Sequence, residues 1–193
     1  SKIPGVLDYA FSVMALKVVV TSLLFWIPYY VEERFDSHSS SIVSTQFFDL
    51  SLILGMGFAA LLNRLIGRWV LLFLVSLVLG LVPLLAIPYS KTLGGTVSCI
   101  FLAGFLIGPA AALFAGVMSA EVGKKAKIHS DRGGIIGIIS GLIDSAGAIG
   151  SGTGQILVGA LASTYGWHTV FKVLAGFVGI GAISLVRVRR MEN

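Results

Sequence analysis

Charge is what this sequence has least of. Asp, Glu, Lys and Arg make up 12% of its 193 residues, against roughly 25% in soluble domains. That scarcity excludes a soluble domain as the bulk of the chain. The single cysteine, Cys99, lies in an apolar run and excludes an intrachain disulfide. No Asn-x-Ser/Thr sequon occurs. The first residues, SKIPG, lack the basic region, short apolar stretch and cleavage site of a signal peptide. His38, His129 and His168 lie in or beside loops, none spaced with a second ligand, so no metal is expected. No nucleophile has a base partner, which leaves catalysis without support. The glycine-rich GSGTG of residues 150–154 lacks the following lysine of a phosphate loop and sits within an apolar helix. No cofactor is expected.

What is present is apolar length. Hydrophobic residues make up 56% of the chain and the mean hydropathy is +0.95. Six runs approach or exceed the roughly 20 residues that cross a bilayer: 6–31, 42–62, 69–87, 92–122, 135–162 and 169–186. The expected fold is an all-α integral membrane bundle, a single six-span domain over 1–193. Pro28 closes the first run, EERFDSHSSS forms a polar loop, and Pro109 lies halfway along the fourth run. With six spans, one side collects Lys2, Arg64, Arg68, Lys124, Lys125, Lys127, Arg132, Arg187, Arg189 and Arg190, whereas the opposite loops hold Arg34 and Lys91. The excess of basic residues on cytoplasmic loops then puts both termini in the cytoplasm. The net charge of +5 thereby reports topology and not nucleic-acid binding.

Ionisable residues within the spans carry the functional expectation. A lysine at mid-bilayer costs at least about 3 kcal/mol on insertion scales, so Lys17, eleven residues into its span, needs a buried acid, a water-filled cavity or an anionic ligand. Asp144 lies at nearly the same depth in the fifth span; Asp49 is nearer the outer surface of the second, as a gating or structural polar group. Asp8 and Glu121 are close enough to the cytoplasmic ends to reach water. Lys17 and Asp144 form either an ion pair that sets helix register or a cation site for an anionic substrate, with the acid tuning or releasing it. Thr21, one turn above Lys17 on the same face, can add a hydrogen bond. Trp26, Tyr29 and Tyr30 at the outer end read as an interfacial belt before they read as a binding box. Gly104 and Gly108 in the fourth span, and Gly133, Gly137, Gly141, Gly150 and Gly154 in the fifth, are spaced for close helix approach. The alternative is a smooth surface on which one bundle rocks against another.

Four segments resemble one family. IPGVLDYAFSVMALKVVVTSLLFWIPYYV is similar to the seventh span of the sugar-phosphate exchangers, including the glucose-6-phosphate transporter group. These are organophosphate:phosphate antiporters of the major facilitator superfamily. FFDLSLILGMGFAALL resembles their eighth span and FLAGFLIGPAAALFAGVMSAEVG their tenth. GLIDSAGAIGSGTGQILVGALASTYGWHTVF resembles the eleventh span and the start of the twelfth. The resemblance implies a six-helix bundle like spans seven to twelve of such a transporter, with Lys17 on the substrate phosphate. It also implies substrate-binding roles for Thr21 and Asp144, exchange of an organic phosphate for inorganic phosphate, and an endoplasmic reticulum membrane.

The family pattern is departed from in two places. NRLIGR has Asn63 where the superfamily's Asp-Arg-x-Gly-Arg loop has its acid, and one extra residue before Gly67. The family's other phosphate-binding basic residues belong to a first half that has no counterpart here. Two readings follow: the chain works with a second six-span half as an antiporter, or it serves as a structural subunit among other membrane proteins.

Overall fold

The computed structural model describes residues 6–110 and 134–192, with side chains over 10–110 and 141–186. Among these residues the protein is all helix: α1 Val6–Phe35, α2 His38–Ile66, α3 Trp69–Ala86 followed by a 3-10 turn Ile87–Tyr89, α5 Gly134–Tyr165 and α6 Trp167–Glu192. Between the 3-10 turn and α5 lies α4, described over Leu93–Ala110. Helix is what the apolar runs require, because in hydrocarbon every backbone N–H and C=O must be satisfied within the segment. Five of the helices, all but α5, are long and apolar enough over their described residues to cross a membrane. Glycine and serine dilute the described part of α5. The protein is a multi-pass integral membrane helix bundle.

The polar segments are shorter than the sequence suggests. Pro28 does not close α1, which runs seven residues further, to Phe35; membrane helices tolerate an internal proline where neighbours re-satisfy the freed groups. EERFDSHSSS is mostly helix, not loop. Only Asp36 and Ser37 separate α1 from α2, with Asp36 at a φ of 49°, a left-handed conformation that Asp tolerates better than most residues. The Ser37 side chain caps α2 by accepting from the Ser40 amide at 3.3 Å, so α2 begins at His38 and not at residue 42. The charged character of these residues reports exposure, not the end of the helix.

Glycine makes the other two tight turns. Gly67, at φ 66°, ends α2 with its N–H donating to the Asn63 carbonyl. Gly166, at φ 76°, stands alone between α5 and α6 and donates to the Ala162 carbonyl at 3.2 Å. Both are left-handed caps, where a side chain is disfavoured.

The hub is α1, which packs against α2, α5 and α6. Val13, Leu16, Val19, Leu23, Ile27 and Tyr30 are buried along it, and the buried Ser12 hydroxyl donates to the Gly181 carbonyl of α6 at 3.2 Å. In α2 the buried residues form one narrow stripe of Ser41, Ser44, Phe48, Ser51 and Gly55, facing α4. There Gly104 lies against Ser51 and Phe48, and Gly108 against Leu52. This is helix association by small residues and close van der Waals contact.

Candidate functional site

The interface between α1 and α5 brings the intramembrane charges together. Three glycines on α5 let the helices approach. A side chain at Gly150 would meet Met14, including its carbonyl oxygen at 2.8 Å; one at Gly154 would meet Val18 at 2.9 Å; and one at Gly147 would meet the Lys17 stem at 2.5 Å. Gly150 and Gly154 have the packing role their spacing suggests. Gly141 faces open space, and Gly133 and the Gly137 surroundings lie outside the described residues. Gly147 was not singled out in the sequence because it falls off the four-residue repeat.

Along the channel left by Gly147 the Lys17 ammonium reaches Asp144, donating to Oδ1 at 2.5 Å. The Lys17 side chain is 28% exposed and that of Asp144 71%. The pair is thus fixed on one side by the α1–α5 packing and open on the other. An open charge at this depth needs water or a polar partner against it, not lipid tails.

Above the pair runs a line of uncharged polar groups. Thr21 does not face the ammonium: its hydroxyl donates to the Lys17 carbonyl, one turn back, at 2.6 Å, so its role is local. Gln155 of α5, which charge does not mark in the sequence, lies against α1. Its Oε1 accepts from the Trp26 indole at 2.8 Å, and its Nε2 points at the Thr21 hydroxyl at 3.4 Å. The signal that could have found it is its chemistry: it is the one amide side chain in the fifth apolar run.

The remaining expected residues separate from this site. Asp49, expected nearer the outer surface, is exposed on α2, about three turns from the start of the helix at His38. Among the described residues it has no hydrogen-bond or ion-pair partner. Tyr30 is not part of an interfacial belt: it is buried, 1% exposed, donates to the Ile87 carbonyl at 3.2 Å, and stacks edge-on with Trp167 and Phe171. Tyr29 is exposed, and Trp167 donates to Glu33 at 2.9 Å. Lys172 is exposed near the start of α6. The Asp8 side chain, Glu121, His129 and the basic residues 124–132 lie outside the described residues.

The ion pair joins the first and fifth helices of the bundle, and the relatives of this chain are transporters and exchangers by name. It is 26% identical to "Putative glycerol-3-phosphate transporter 5" of Arabidopsis thaliana, over 99% of the chain and 40% of that protein. It is 25% identical to sugar phosphate exchanger 3 of Bos taurus, over 88% of the chain and 34% of the relative. With a glucose-6-phosphate exchanger of Xenopus tropicalis the identity is 27%, over 97% and 38%. No protein-family model matches. The resemblance to organophosphate exchangers holds along nearly the whole chain, and the chain spans 34–40% of the length of these relatives.

Proposed function

We propose that this chain is the C-terminal half of a secondary transporter that exchanges an organic phosphate for inorganic phosphate. The observation that carries the proposal is the Lys17–Asp144 pair, fixed at 2.5 Å yet open on one side. A phosphate monoester loses favourable hydration on leaving water and needs charge-assisted hydrogen bonds in return. Lys17 offers a compact charge already held in place, and Asp144 balances it when the site is empty. All six helices span the membrane, both termini are cytoplasmic, and the endoplasmic reticulum is the membrane implied by the family. The open face of the pair is covered by a second six-span half. Asp49, exposed on α2 and without a partner among the described residues, is a candidate gating group facing that half.

The experiment is counterflow in vesicles, run with the chain in its native assembly. Lys17→Ala is expected to abolish phosphate-driven uptake of a sugar phosphate while the protein remains folded in the membrane. Lys17→Arg keeps the charge but not the shape and should retain part of the activity. A second reading has one observation in its favour: Asp144 already satisfies the charge of Lys17, as in a register-setting ion pair of a structural subunit. Breakup of an assembly by Lys17→Ala, with no exchange by the wild type, would favour it.

A further inference from the structure

We propose that Gln155 is a specificity-determining residue of the same site, reading the hydroxyl groups of a sugar phosphate whose phosphoryl group sits at Lys17. The inference rests on the transport reading and adds the orientation of the substrate. Gln155 follows Asp144 by about three turns, so both lie on the same face of α5, roughly 16 Å apart along the axis. That distance is too great for inorganic phosphate to touch both, but an organic phosphate extends from one towards the other.

The amide is held in a defined orientation. The indole N–H of Trp26 can only donate, so the atom it meets is the Gln155 oxygen. The nitrogen then points towards Thr21, whose own proton is committed to the Lys17 carbonyl. Among the described residues these are its contacts, which leave Gln155 one oxygen lone pair and one N–H. A donor and an acceptor side by side suit neighbouring hydroxyls of a sugar, each of which gives and takes a hydrogen bond. Gln155 is half-buried and the Asp144 side chain is 71% exposed, so both keep accessible surface on the same face of α5.

The test compares two activities of the native assembly in proteoliposomes: self-exchange of inorganic phosphate, and uptake of glucose 6-phosphate at limiting concentration. In Gln155→Leu the ratio of sugar-phosphate uptake to phosphate self-exchange is expected to fall about ten-fold, the scale of one or two lost hydrogen bonds. An alkyl phosphate without hydroxyls should show no such fall. Trp26→Phe, which leaves Gln155 in place but frees its orientation, should lower the same ratio by a smaller factor. Equal loss of both activities, or loss of neither, would make Gln155 a packing residue and overturn the inference while leaving exchange intact. Absence of phosphate self-exchange in the wild type would remove the transport reading and this inference with it.

Discussion

Lys17 depends on a residue with no side chain. A methyl group at Gly147 would lie 2.5 Å from the Lys17 Cδ, so Gly147→Ala must push the lysine stem away from α5. We expect the variant to fold, because a flexible side chain can yield, but to lose most exchange activity, with a loss approaching that of Lys17→Ala. Retention of wild-type counterflow by Gly147→Ala would show that the position of the ammonium against Asp144 does not matter. Asp144→Asn leaves an uncompensated charge in the empty site. It should be mild if Asp144 only tunes Lys17 and severe if it drives release, and counterflow rates at saturating phosphate separate the two. Equal depth was enough to pair Lys17 with Asp144 from the sequence, since two charges in hydrocarbon seek each other. Gln155 was not found in that way, because an uncharged amide leaves no charge to balance.

Between elements, the contact is made by backbone and small side chains. Gly150 lies against the Met14 carbonyl, which cannot turn aside, whereas Gly152 has nothing within 4 Å. Gly150→Ala should therefore lower the thermal midpoint and separate α1 from α5. Gly152→Ala should be neutral or stabilising by up to about 1 kcal/mol, since Ala is the better helix former; thermal unfolding in detergent measures both. Gly67→Ala places a side chain at φ 66° and should cost about 1–2 kcal/mol by the same assay. The regular four-residue spacing in the sequence pointed at the helix but not at its facing side. Gly141 shares the repeat and faces open space, because only the position of α1 decides which glycines lie beneath it.

At the scale of the molecule, the placement of basic residues makes a direct prediction. Single cysteines at Ser39 and Lys125, introduced with Cys99 replaced, should be labelled from opposite faces of the membrane; labelling of both from one face would end the six-span topology. The relatives extend well beyond the length of this chain, and the open side of Lys17–Asp144 is where a second bundle is proposed. A photo-crosslinker at Ser145, exposed beside Asp144, should capture a membrane protein and not lipid alone.

Apolar length and the scarcity of charge determined, without any structure, that the chain is a helical membrane bundle, because hydrocarbon leaves the backbone no other satisfied state over such runs. Intramembrane charge likewise singled out Lys17 and Asp144. Tertiary structure alone decided that Tyr30 belongs to the core and that EERFDSHSSS continues two helices. It also decided that Thr21 turns back to its own helix and that Gln155 joins the site. Each of these depends on which neighbouring surface a helix face meets, and a bilayer, unlike water, does not encode that choice in the contrast between polar and apolar residues, since both lipid and protein neighbours are apolar.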